Sequence, residues 1–286
     1  MKLKNVPRNI PRYSKRLYYY GKNNGPFLSG DLFADSADIQ VYPPRLRNFQ
    51  PSKKMLSAAR VIFCPSDELE RFLEEYSGSI NARVLILGNG DRDFDRLDES
   101  LLPSSVKKVF AQNLHNEGER SSLLPIGIEN LRLGTNGLKK YFKQEYVDVE
   151  KQNKILVGPF SMTHPDRNFY KSEGFESSDR VTVLRGRISP QEFAEISAKY
   201  RFVAAPRGNG IDTHRFWEAL YRGSYPIVNR NSWSSLVKNL NIPLIEIDSW
   251  GESSFGSVPQ EMQDFNPRNI PALWWPFWNK LIKANC

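Results

Sequence analysis

The residues whose types and spacing could do chemistry concentrate in the segment 201–228, which reads RFVAAPRGNGIDTHRFWEALYRGSYPIV. Its apolar run at 202–205 predicts a short buried strand, which the following proline and glycines end. Asp212 or Thr213 then caps a predicted helix. Turn amides, the positive end of the helix dipole and Arg207 would face one anionic ligand. The segment therefore predicts a phosphate-binding βαβ unit.

Further side chains fit particular parts of such a ligand. Gly208 keeps the turn narrow enough for a phosphate to approach the backbone. Glu218 lies roughly 7 to 9 Å along the predicted helix, where a ribose would be if a diphosphate occupied the helix start. Arg167 follows another predicted strand, and a guanidinium there could bond two phosphate oxygens at once. Together these residues predict a nucleotide-sugar site, although surface ion pairs and an exposed helix glutamate would have the same sequence.

The same segment carries a signature with more specific residues than a glycine turn. It consists of Pro206-Arg207-Gly208, Asp212-Thr213, Arg215, Trp217-Glu218-Ala219-Leu220, Gly223 and Pro226-Ile227-Val228. These residues resemble the carboxy-terminal signature of the exostosin-like glycosyltransferases, where the segment belongs to the donor-binding domain of a GT-B fold. The resemblance implies an enzyme, a soluble microbial or viral member of that family, which moves a sugar from a UDP-sugar to a glycan hydroxyl with inversion and without a metal or cofactor.

Inverting transfer also needs a base for the acceptor hydroxyl, which we expect from the opposite half of the chain. Asp91 follows a predicted strand at 83–87 through a Gly-Asn-Gly turn, which would hold its carboxylate at the mouth of a cleft. The competing interpretation makes Asp91 the N-cap of a helix over 92–97. His115, just after a third predicted strand, is the second candidate for the base.

Three other functions remain open at this stage. Asp91 and Asp93 have the Asp-x-Asp spacing with which metal-dependent transferases hold a cation and a diphosphate. A catalytically silent glycan-binding protein could keep the same fold. A nucleic-acid binder would suit the net charge of +8, but basic and acidic residues are mostly interleaved, and we expect no nucleic-acid partner.

Short apolar runs alternate with helical patterns along the chain, which predicts parallel sheets with right-handed crossovers. We expect an α/β protein of GT-B type, with two Rossmann-like domains facing a central cleft: an acceptor-binding domain at 1–150 and a donor-binding domain at 151–286. An aromatic helix at 272–282 either crosses back to the first domain or packs within the second. Strands are predicted at 60–64, 83–87, 109–111, 123–128, 154–160, 181–184, 202–205 and 243–247.

Composition limits the cellular setting. The 286 residues include two cysteines, too few for a disulfide framework. No apolar stretch approaches the roughly 20 residues that span a bilayer, and residues 1–22 are basic without the apolar core of a signal peptide. We therefore expect a cytoplasmic protein. The tyrosines in that amino-terminal segment predict a solvated arm, with a lipid or acidic-glycan contact as the alternative.

Overall fold

The computed structural model describes residues 24–42, 50–173 and 175–286; the basic arm at 1–22 lies outside them. Over these residues the chain is a mixed α/β structure with two parallel sheets, as the alternating pattern predicts. In both sheets the central strands are short apolar runs that are buried almost throughout, which is typical of parallel sheets covered on both faces.

The first sheet has the strand order β1-β2-β3-β5-β7, and a separate pair, β4 and β6, lies beside it. Every neighbouring pair is parallel; Ile62 is opposite Leu85, and Ile86 is opposite Phe110. The strands are β1 Ile39–Gln40, β2 Val61–Pro65, β3 Val84–Gly88, β4 Phe94–Arg96, β5 Lys108–Ala111, β6 Leu114–Asn116 and β7 Ser121–Leu123.

Short helices accompany this sheet. Residues Leu69, Phe72 and Leu73 form the buried face of the helix after β2, as their i, i+3, i+4 spacing predicts. The helices are α1 Gly30–Asp35, α2 Lys53–Ala58, α3 Leu69–Tyr76 and α4 Glu145–Asp148. Short 3-10 helices occur at Ser66–Glu68, Ser77–Ser79, Glu99–Leu101, Leu131–Leu133 and Lys139–Tyr141.

The helix expected over 92–97 is wrong, because β4 occupies its centre. Phe94 is buried, its amide donates to the Asn113 carbonyl at 2.9 Å, and its strand pairs in parallel with β6. This pairing joins segments about 20 residues apart, so a local helical pattern could not reveal it. Asp91 consequently caps no helix. The strand predicted at 123–128 is also misplaced, since β7 ends at Leu123.

The second sheet has the order β12-β11-β10-β8-β9. After β8 the chain forms β9 on one side of it and then crosses back to form β10 on its other side. The direction in which strands are added therefore reverses between β8 and β10. The strands are β8 Gln152–Val157, β9 Val181–Val183, β10 Tyr200–Ala204, β11 Tyr225–Asn229 and β12 Ile245–Ile247. Open α/β sheets bind ligands at the carboxyl ends of strands beside such a switch.

The helices of this half are α5 Pro190–Ser197, α6 His214–Tyr221, α7 Ser232–Asn239, α8 Glu252–Phe255 and α9 Trp275–Ala284. Helix α6 joins β10 to β11, as the βαβ interpretation of 201–228 predicts. Further 3-10 helices cover Pro165–Lys171, Pro267–Asn269 and Pro271–Leu273.

The carboxy-terminal helix α9 contacts the first half of the chain. The rings of Trp275 and Trp278 lie 5.6 and 6.2 Å from the ring of Phe33. The Tyr221 hydroxyl accepts from the Leu28 amide at 3.1 Å and donates to the Leu273 carbonyl at 2.6 Å. Helices α6 and α9 thus share one apolar core with α1. None of the helices in the described ranges combines the length and apolar character that crossing a membrane requires.

Candidate functional site

A cavity of about 380 Å³ lies between the two halves. Its walls come from segments that follow strands: Asp91 after β3, Ile126 after β7, residues 159–167 after β8 and residues 208–215 after β10. The last two segments leave β8 and β10, the strands at which the second sheet changes order. The cavity therefore occupies the position where a parallel sheet offers a ligand site.

Arg167 reaches this cavity with a guanidinium that is held by oxygen atoms of neutral groups. Its nitrogens donate to the carbonyls of Arg207 and Ser161 at 2.9 and 2.7 Å and to the Thr163 hydroxyl at 3.1 Å. Burial, followed by the nearby charge of Arg215, lowers the pKa of Arg167 to about 10. Arg167 is therefore a half-buried positive charge whose orientation these hydrogen bonds already fix.

Helix α6 adds two more guanidiniums to the cavity wall. Arg215, Glu218 and Arg222 follow one another at i, i+3 and i+7, so they lie along one face of the helix. The Arg215 guanidinium lies 4.0 Å from the centre of the Phe193 ring, and Arg222 lies 4.9 Å from that of Phe142. These cation–π contacts hold both guanidiniums beside aromatic rings.

The start of α6 carries a polar atom that lacks a hydrogen bond. Thr213 is the N-cap residue, yet its side chain accepts no amide of the helix. Its Oγ1 atom is buried and has no hydrogen-bond partner in the part of the chain that the structure describes. A buried hydroxyl without a partner is unfavourable, and in a cavity it suits a ligand oxygen. Gly208 also lines the cavity, and a Cβ there would lie 2.9 Å from Arg167 Nη2.

Asp212 joins the two halves. Its Oδ2 accepts from the Ile126 amide at 2.8 Å, its Oδ1 accepts from Trp217 Nε1 at 2.7 Å, and its own amide donates to Asn113 at 3.0 Å. Burial raises the pKa of Asp212 to about 7, against the opposing effect of these hydrogen bonds. A carboxylate engaged on both oxygens stabilises the wall of the cavity, which is a different role from the donor contact expected for it.

Arg207 also has a different environment from the one expected. It does not belong to the cavity wall; its Nη2 donates to the Asp93 carboxylate of the first half. Asp93 Oδ1 accepts in addition from the Ile211 amide at 3.0 Å. Burial favours a raised pKa for Asp93, but the neighbouring His115 and the hydrogen bonds from Ile211 and Arg207 outweigh it and lower the pKa. Arg207 thus pairs across the two halves, a contact that nothing in the local sequence indicates.

The two candidate bases differ in position. Asp91 lies on the wall of the first half, where its Oδ2 accepts from Asn209 Nδ2 at 2.8 Å. His115 is not on the wall, because its Nε2 faces Asp93 Oδ1 at 3.8 Å. Of the two, only Asp91 therefore lines the cavity.

Sequence reasoning missed Arg222 and gave Arg215 no role beyond the signature. The signal was available, because the positions 215, 218 and 222 share one face of a helix that was itself predicted. Glu218 is buried as expected for a wall residue, but its Oε2 atom lies 3.8 Å from both Arg215 Nε and Arg222 Nη1. Of the residues predicted to bind a donor, all but Arg207 line one cavity: Arg167, Gly208, Asp212, Thr213 and Glu218.

A metal site has no support from side-chain geometry, since the described residues contain no group of three His, Cys, Asp or Glu side chains that could hold an ion. Asp93, one half of the Asp-x-Asp pattern, is engaged by a guanidinium instead. A scan against protein-family models and a search of curated proteins found no match to the chain. Its function must therefore be argued from the cavity.

Proposed function

We propose that this chain is an inverting glycosyltransferase of GT-B architecture, which transfers a sugar from a UDP-sugar to a glycan hydroxyl without a metal. The observation that carries the proposal is the set of guanidiniums of Arg167, Arg215 and Arg222, the last buried and the other two half-buried, beside the partnerless hydroxyl of Thr213, at the switch point of a parallel sheet. The resemblance to exostosin-like enzymes supplies the stereochemistry and the preference for uridine.

The charges in the cavity favour a diphosphate. Three guanidiniums reach it, and Glu218 is the carboxylate within 4 Å of two of them in the described part of the chain. A leaving diphosphate gains negative charge as the glycosidic bond breaks, and fixed guanidiniums in a cavity with little water stabilise that charge strongly. In this proposal, arginines and the start of α6 replace the cation of a metal-dependent transferase.

The acceptor would approach from the first half. Residues 1–150 would bind the glycan and residues 151–286 the donor, with Asp91 removing the proton of the attacking hydroxyl. Asn209 holds the Asp91 carboxylate from the donor half. The base and the donor site would consequently keep a fixed separation when the halves meet.

Binding of UDP in the presence of EDTA tests the donor site. By isothermal titration calorimetry, we expect Arg167→Ala to weaken UDP by on the order of 1.5 to 3 kcal/mol, because charged hydrogen bonds are lost. Arg230→Ala is the matched control, since Arg230 is 65% exposed and lies outside the cavity wall. If the parent protein binds UDP only with a divalent cation, or if both variants bind equally well, the donor site is misassigned.

Turnover tests the base. Asp91→Asn keeps the size of the side chain and an oxygen for the Asn209 contact but removes the proton acceptor. We expect normal UDP affinity and a transfer rate that is lower by a factor of at least about 100. The rate is measured as UDP released from a panel of UDP-sugars with glycan acceptors. A variant that releases UDP at the parent rate would exclude Asp91 as the base.

A further inference from the structure

Glu218 lies between the guanidiniums of Arg215 and Arg222. Its Oε2 atom is 3.8 Å from Arg215 Nε and 3.8 Å from Arg222 Nη1. Within the described ranges, these are the ion pairs that the two arginines form at 4 Å or less. All three side chains face the cavity. One carboxylate thus provides the negative charge for one buried and one half-buried cation.

The charge of this carboxylate matters because the Arg222 side chain is buried and that of Arg215 is only 20% exposed. Burial lowers the pKa of Arg222 to about 10; Glu218 opposes this change, and the positive charge of Arg215 adds to it. Burial also lowers the pKa of Arg215, with Glu218 again acting in the opposite direction. In the ligand-free protein, Glu218 therefore makes two like charges tolerable on one helix face.

A phosphate could readily replace Glu218 as the partner of these two arginines. A separation of 3.8 Å is too long for a hydrogen bond, so the attraction is purely Coulombic. Arg222 Nη1 is buried and has no hydrogen-bond partner among the described residues. A phosphate oxygen that came within hydrogen-bond distance would give this nitrogen the acceptor it lacks and would compete with Glu218 for both arginines.

We propose that Glu218 is the resident counter-anion of the cavity, which neutralises Arg215 and Arg222 before a ligand enters and limits how tightly phosphate binds. The inference rests on the proposed function, because it takes the ligand to be a diphosphate. Its consequence for turnover is release: a site with unopposed arginines would retain the nucleoside diphosphate product, whereas Glu218 takes the arginines back as the product leaves.

The counter-anion role and a ribose contact predict different effects of Glu218→Gln on pyrophosphate affinity. If Glu218 accepted hydrogen bonds from ribose hydroxyls alone, Glu218→Gln would weaken UDP and leave pyrophosphate unchanged. If Glu218 is the counter-anion, Glu218→Gln removes a competitor of the phosphates, so pyrophosphate must bind more tightly. The same variant should melt at a lower temperature without ligand, because its arginines repel each other with no carboxylate between them.

Calorimetric titration with pyrophosphate in EDTA separates the two roles. We expect Glu218→Gln to bind it at least about tenfold more tightly than the parent, from the Coulomb energy of one nearby unit charge in a buried site. Unchanged or weaker binding would overturn the inference while leaving the proposed function intact, provided that the parent binds UDP. If neither the parent nor the variant binds pyrophosphate or UDP, the proposed function fails as well.

A second pair of variants keeps the test valid if Glu218→Gln alone does not fold. Arg222→Met retains Glu218 beside a single arginine, and the double variant E218Q/R222M removes one charge of each sign. The double variant should bind pyrophosphate several-fold more tightly than Arg222→Met, because Arg215 then has no competing anion. Equal affinities in the two would contradict the counter-anion role. Thermal melting of each variant without ligand serves as the control for folding.

Discussion

Removing the ion pair between Arg207 and Asp93 should loosen the contact between the two halves without weakening phosphate binding. Arg207 Nη2 donates to the Asp93 carboxylate, and the Ile211 amide donates to the other oxygen of Asp93 at 3.0 Å. Arg207→Gln removes the positive charge. Asp93→Asn removes the negative charge and keeps an oxygen for the Ile211 amide, so neither variant leaves that amide without an acceptor.

The expected magnitude follows from the burial of the pair. The side chains of Arg207 and Asp93 are 21% and 29% exposed. Exposed ion pairs contribute about 0 to 1 kcal/mol, whereas breaking a fully buried pair costs about 3 to 5 kcal/mol. Partial burial places this pair between those limits. After allowance for screening by solvent, we expect a coupling free energy of about 1 to 2 kcal/mol.

A double-mutant cycle measured by urea unfolding gives the coupling directly, as the departure of the double variant from the sum of the single ones. The matched control is the pair Arg92 and Glu70, whose side chains are 36% and 67% exposed and whose coupling should stay below about 0.5 kcal/mol. A coupling for Arg207 and Asp93 no larger than that of the control would refute the burial argument. Arg207→Gln should also bind pyrophosphate within about twofold of the parent; a much larger loss would return Arg207 to the donor site.

Three further predictions concern buried groups and close contacts that stabilise the fold. Because the pKa of Asp212 is raised to about 7, the folded protein keeps a proton that the unfolded chain loses above about pH 4. The free energy of unfolding should therefore fall as the pH rises from 4 to 7, by at most about 4 kcal/mol. Urea unfolding of Asp212→Asn should show a flatter pH dependence. Lys151→Met should lower the free energy of unfolding by about 1 to 3 kcal/mol, seen in thermal melts, since it leaves the carbonyls of Ala198 and Arg222 without their donor. Gly210→Ala should lower the free energy of unfolding by about 1 to 3 kcal/mol, because the added Cβ would lie 2.4 Å from Asn113. The control Gly78→Ala places its Cβ in open space and should leave chemical denaturation unchanged.

The parts of the fold that sequence could predict are those with a local signal. The central strands β2, β3 and β10 are continuous apolar runs between turn residues, and α6 follows a glycine turn, so their positions were predicted to within a residue or two. The predicted helix over 92–97 failed because β4 depends on β6 for its pairing. The residues of β4 alone do not indicate where in the chain its partner strand lies.

The candidate site likewise includes residues whose position the sequence could predict and residues whose position it could not. Arg167 and Thr213 reach the cavity from the segments that follow β8 and β10, and Glu218 reaches it from α6, which was also predicted. Arg207 satisfies the same rule, but Asp93, 114 positions away in the chain, engages its guanidinium. The contact between Arg207 and Asp93 depends on how the two halves meet, which no local pattern reports. His115 faces Asp93 for a different reason, because β4 and β6 pair within the first half.

Hydrogen–deuterium exchange with and without UDP, in EDTA, tests the central claim most directly because it locates the ligand. Backbone amides that bind phosphate or become buried beneath it exchange more slowly. The proposed site predicts slower exchange in 159–167 and 208–218, with no change in the peripheral helix α3. Saturating UDP that left both segments unaffected, or that protected only residues outside the cavity, would contradict the assignment of this cavity as the donor site.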